Sequence, residues 1–145
     1  MIATLSHPGP RRCWLVPALC VLLLISCAED PMGAENRFAL MALNQCNHGQ
    51  ALMLVDQAIE RGNAENVERA LMLKAAILRD RGDTAAAEAL YPAIDAAWEA
   101  AKEKSLSASR RERDIQMFID IAQAERHALG LDATCEASAA DQGRD

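Results

Sequence analysis

Aromatic side chains are scarce: Trp14, Phe38, Tyr91, Trp98 and Phe118 make up 3% of the 145 residues. Rings commonly wall rigid substrate pockets, so their scarcity speaks against a small-molecule substrate. β-branched residues are few and concentrate before residue 27, which argues against a sheet. Histidine occurs only at His7, His48 and His127. No Ser/His/Asp arrangement, phosphate-binding loop or pair of carboxylates placed for acid–base work can be read, and the chain is expected not to be an enzyme. No Cys-x-x-Cys occurs, which leaves dithiol oxidoreductase chemistry without support. Cys46-x-His48 lacks the second pair of ligands that a zinc site needs. Met41, Met53, Met72 and Met117 could be imagined as soft ligands for copper or haem, but methionine on helices is more often core filler. No metal and no cofactor are therefore expected.

Positive charge is also in short supply. The formal net charge is −6, and loss of the first 26 residues, which carry Arg11 and Arg12 but no acid, takes it to −8. Such a balance offers nothing to nucleic acid, which rewards Lys/Arg clusters. The one basic cluster is Lys102, Lys104, Arg110, Arg111 and Arg113. Arginines at a helix start oppose the macrodipole, so an acidic partner or anionic lipid headgroups are candidates to offset them. Alanine and leucine dominate instead, cheap helix formers that let backbones approach. One all-α domain is expected.

The only long apolar run is Trp14 to Ile25, broken by Pro17 and preceded by Arg11-Arg12. As a helix it rises about 18 Å at ~1.5 Å per residue, short of the roughly 20 residues that a span needs. It reads as the core of a signal peptide over residues 1–26. The stretch that follows, Leu24-Ile25-Ser26-Cys27, resembles the lipobox of bacterial lipoprotein precursors. That resemblance implies cleavage after Ser26 and a lipid on Cys27. Ala28, rather than aspartate, then leans the assignment toward the outer membrane, facing the periplasm, with the outer face of a plasma membrane as the alternative. Residues 27–33 form the polar tether.

Helical periodicity fills residues 34–130. The first helix is expected over about Ala34 to Gln45, with Phe38, Met41 and Ala42 on one stripe and Leu43 and Cys46 beside it. The second runs from Gln50 to Arg61 through Ala51, Leu54, Val55 and Ala58. Gly62 suits a left-handed close and Asn63 a cap for the third, Ala64 to Arg81. Gly82 and Asp83 repeat that pairing before a fourth helix from Thr84 to about Lys104. Pro92 should kink it near Tyr91. A fifth starts at Ser109, with Ser109-Arg110-Arg111-Glu112 at capping-box spacing. It runs through Ile115, Phe118, Ile119 and Ala122 to Leu129, and Gly130-Leu131 closes it. Residues 131–145 are expected to form a flexible tail.

Leu71, Ala75 and Leu78, then Gly82-Asp83, then Ala87 and Tyr91, resemble a tetratricopeptide repeat, with a poorer copy over Ala34 to Asn63. The resemblance implies an array of about five helices in hairpins. A plain four- or five-helix bundle shares the pattern and stays open. It also implies a concave groove lined by the first and third helices, where Glu68, Met72 and Arg79 would meet a partner. With Cys13 and Cys20 lost and Cys27 acylated, Cys46 and Cys135 remain as an even pair, free or joined by a disulfide. These expectations describe a membrane-tethered interaction scaffold with an unknown envelope protein as partner. In plan it resembles the pilotins, small lipoproteins that usher secretion or pilus subunits. A periplasmic helical protein sensing a ligand, metal or haem is the alternative.

Overall fold

The computed structural model describes residues 32–135. The leader, Cys27 and the tether up to Pro31 lie outside the described residues, as do residues 136–145. The described part is all-helical: α1 Ala34–Asn44, α2 His48–Arg61, α3 Ala64–Asp80, α4 Thr84–Ala89, α5 Tyr91–Lys102 and α6 Ala108–Ala128. None of these helices is long and apolar enough to cross a membrane.

Four of the described helices, α2, α3, α4 and α6, start where short polar side chains satisfy free N–H groups. Asn47 Oδ1 accepts from Gln50 N, Asn63 Oδ1 from Asn66 N, and Asp83 Oδ1 from Ala86 N. The cap of α6 is Ser107, whose Oγ accepts from Arg110 N at 3.3 Å, rather than Ser109. Gly82 (φ +88°) and Gly130 (φ +73°) close α3 and α6 in the left-handed conformation. Gly62 does not: its φ is −74°, and it is needed for space, because a Cβ there would lie 2.5 Å from Ala58 O. Cys46 does what glycine usually does at the end of α1. It sits at φ 58° while its N–H reaches Leu43 O and that of Asn47 reaches Ala42 O. The expected kink at Pro92 is a full break. Leu90 separates α4 from α5, and Pro92 lies in the first turn of α5, where no intrahelical N–H bond is lost.

Short connections make α1, α2 and α3 successive antiparallel neighbours. α3 packs against every other helix, and α6 returns across the chain to lie on both α1 and α3. The array thus closes around α3. The core joins Ala39 and Leu43 of α1, Ala51 and Val55 of α2, Leu73, Ala76 and Ile77 of α3, Ala87 of α4, Ile94 of α5 and Ile115 of α6, none with accessible surface. Four of these ten are alanines, which let the helix backbones approach. On α1 the buried stripe is Asn36, Ala39, Ala42 and Leu43, while Phe38 and Met41 are each 54% exposed. Ala42 and Leu43 lie on the contact face as expected, but small Ala39, not Phe38 or Met41, completes it. Asn36 ties α1 to α3 by donating to Met32 O and Asn66 O.

Candidate functional site

α5 and α6 do not pack backbone to backbone, and a cleft of about 480 Å³ opens between them over α3. Met72, Trp98, Phe118, Met117 and Ile121 form its apolar lining, and Met32, the first described residue, stands on its edge. Glu68, Arg69, Lys102, Arg110 and Asp114 supply the polar lining. Glu68 is 4% exposed and, among the described residues, has no hydrogen-bond or ion-pair partner. Burial raises its pKa above the ordinary 4.5, against the lowering effect of the Lys102 and Arg69 charges. Trp98 Nε1 is buried and lacks an acceptor among the described residues. Arg110 lies over the Trp98 ring at 4.7 Å from its centroid. The cleft therefore presents apolar walls around the Glu68 carboxyl, an arrangement that favours an occupant able to hydrogen-bond to it.

The three residues expected to share a partner-facing groove are divided. Glu68 and Met72 line the cleft together, but Met72 is 2% exposed and belongs to the core. Arg79 lies elsewhere. Its Nη2 donates to Tyr91 Oη and, at 2.5 Å, to Glu112 Oε2. The expected exposed face is thus corrected: α6 covers α1 and α3, the helices that would have lined an open groove. Burial alone would raise the Glu112 pKa, but hydrogen bonds from Arg79 and Tyr91 bring it below 4.5. The basic cluster is offset largely within the chain: Lys102 by Glu65, Arg110 by Asp114, and Arg111 by Asp95 at 2.6 Å and by the Tyr91 ring at 4.1 Å.

A second polar centre lies at the far end of α3. Arg126 is fully buried. Its Nη1 donates to Asp80 Oδ1 (3.0 Å) and Ala133 O, and its Nη2 to Asp80 Oδ2 (2.7 Å) and Leu43 O. His48 Nε2 lies 2.8 Å from Asp80 Oδ2. Desolvation raises the Asp80 pKa, but hydrogen bonds and charge from His48 and Arg126 outweigh it and hold the group below its ordinary 3.8. Cys46 and Cys135 form a disulfide beside this centre, with Cα atoms 5.4 Å apart. Residues 131–135 are thereby held at two points, Ala133 O and Cys135. His127 is exposed on α6.

Sequence reasoning missed Asp80, Arg126 and the role of His48. The signal was periodicity: after Ile115, Phe118, Ile119 and Ala122, the next position on the buried stripe is Arg126. No protein-family model, curated protein or solved structure matches this chain.

Proposed function

We propose that this chain is a lipid-anchored interaction module of the bacterial envelope. Cys27 carries the lipid, and the cleft between α5 and α6 receives a segment of another envelope protein. The feature that carries the reading is the cleft itself: apolar walls around a largely buried Glu68 carboxyl that has no hydrogen-bond or ion-pair partner among the described residues. Leu24-Ile25-Ser26-Cys27 supports the anchor, and Met32 on the cleft edge lies five residues beyond Cys27. At most ~3.3–3.6 Å per residue, the tether reaches under about 20 Å, so the cleft works close to the membrane surface. Outer-membrane placement facing the periplasm follows from Ala28, and the module does no chemistry of its own. Kinship with tetratricopeptide repeats rests on the α1–α2 hairpin and on Ala87, buried where α4 meets the core.

Two measurements test this. The mass of the mature N-terminal peptide should show cleavage before Cys27 and a lipid on its thiol; an unmodified Cys27 removes the anchor. A photo-cross-linking residue at Met117, 47% exposed on the cleft, should capture one discrete envelope protein in intact cells. The same residue at Met53, exposed on α2, should not. Equal capture from both positions, or none from Met117, removes the cleft as the docking site.

A further inference from the structure

Cys46-x-His48 lacks a second pair of metal ligands in the sequence, and the fold supplies one from afar. His48 opens α2, Asp80 ends α3, and Cys135 follows α6. One ligating atom from each of these three lies within 4.8 Å of the others. His48 Nε2 is 2.8 Å and Cys135 Sγ 3.4 Å from Asp80 Oδ2. The sulfur has no proton to donate while it is bonded to Cys46. His48 and Cys135 are partly buried and within reach of solvent, as is Cys46, while the Asp80 side chain is only 4% exposed.

We propose that reduction of the Cys46–Cys135 disulfide converts this cluster into a four-ligand zinc site, with Cys46, His48, Asp80 and Cys135 as ligands. The two states exclude each other, because the thiolates that bind the metal are the atoms consumed by the disulfide. A dithiol reductant delivers two electrons and two protons, leaving two thiols and its own cyclic disulfide. Zn²⁺ then displaces the two thiol protons, while Asp80 binds as carboxylate and His48 through neutral Nε2.

Zinc–ligand bonds of about 2.0–2.3 Å in a tetrahedron put the ligand atoms about 3.3–3.8 Å apart. The carboxylate–sulfur separation of 3.4 Å already lies in that range, and the 2.8 Å histidine–carboxylate contact must open by about half an ångström. The sulfurs must part, which only cleavage of their bond allows.

Charge favours the exchange as well. In the disulfide state, buried Arg126 and Asp80 cancel. In the zinc state, Zn²⁺ and Arg126 together balance two thiolates and Asp80, so neither state buries a net charge. Arg126 Nη1 keeps Asp80 Oδ1, Nη2 keeps Leu43 O, and Oδ2 turns to the metal, with Arg126 orienting the ligand from behind. Since zinc binds only the dithiol, zinc also shifts the thiol–disulfide equilibrium toward reduction by mass action.

The test uses the whole protein as isolated, before and after reduction with a phosphine and its anaerobic removal. Zn²⁺ is titrated against a chromophoric chelator, and Co²⁺ serves as the spectroscopic probe. The reduced chain should take one zinc that the oxidised chain does not. With cobalt it should show the sulfur-to-metal charge-transfer band and intense visible bands of a tetrahedral dithiolate. Cys135→Ser should abolish this uptake. His48→Ala, at a partly exposed position that the core does not need, should weaken it at least ten-fold while helicity is retained. Three results overturn the proposal: no stoichiometric uptake on reduction, uptake unchanged by His48→Ala, or equal uptake by the oxidised chain.

Discussion

Arg126 and Asp80, 46 residues apart, face each other as a two-pronged pair with almost no contact with water, at 2.7 and 3.0 Å. The pair joins α3 to α6. Through Leu43 O it also places a positive charge at the C-terminal end of α1, where the macrodipole favours one. Arg126→Met would strand a buried carboxylate with His48 alone. We expect a loss of about 3–5 kcal/mol, measured as a lowered urea midpoint. Asp80→Leu added to Arg126→Met should recover part of it, because no lone charge then remains. A midpoint unchanged in the single variant would show that the pair contributes nothing.

The same pair sets an acid limit. The Asp80 pKa is lower in the folded chain than in the unfolded one, so its contribution to stability is present above about pH 4. It is lost as pH falls through the depressed folded value. The stability gap between the wild type and Asp80→Asn should therefore narrow steadily below pH 4. Parallel pH profiles for the two would refute the assignment.

Glu68 has the opposite sign. Its folded pKa lies above the ordinary value, so folding is favoured with the carboxyl protonated and penalised once pH rises through that folded pKa. Glu68→Gln should be more stable than wild type at neutral pH. The advantage should fade on acidification and vanish below pH 4.5, where both side chains are neutral in both states. A destabilised Glu68→Gln at pH 7 would mean that the carboxylate is satisfied by a partner.

Ala87 tests the helix crossings. It has no accessible surface, so Ala87→Leu should over-pack α4 against the core and cost about 1–3 kcal/mol. An unchanged denaturation midpoint would place the position at the surface.

Gly62 tests close approach without left-handed strain. Gly62→Ala would put a methyl 2.5 Å from a backbone carbonyl, so it should shift the α2–α3 corner and lower the melting temperature. Gly49, with open space around its Cα and a place on α2, should tolerate alanine or gain from it.

The helices were readable in the sequence because their ends carry the chemistry that stops and starts a helix: Asn63, Gly82-Asp83, Pro92 and Gly130. Core positions on α2, α3 and α6 were readable from 3.6-residue periodicity. On α1 it placed Ala42 and Leu43 correctly but not Phe38 and Met41, which point outward while small Ala39 points inward. The packing of α6 on α1 and α3 was not readable, because no local signal says which of several apolar faces a distant helix will cover. The site divided the same way. Glu68 and Met72 could be singled out on α3, but not their enclosure by Trp98 and Met117. Arg126 looked like an ordinary charge until its place on the buried stripe of α6 was known.

The contact between Arg126 and Leu43 O spans 83 residues, which bears on when the chain becomes rigid. α1 lacks the guanidinium at its C-terminal end and its cover of α6 until the chain has been synthesised as far as Arg126. Loop closure over such a separation is slow compared with the formation of local hairpins. Until then α1 and α3 lack the face that α6 covers. α6 is thus the clasp that fastens α1 to α3.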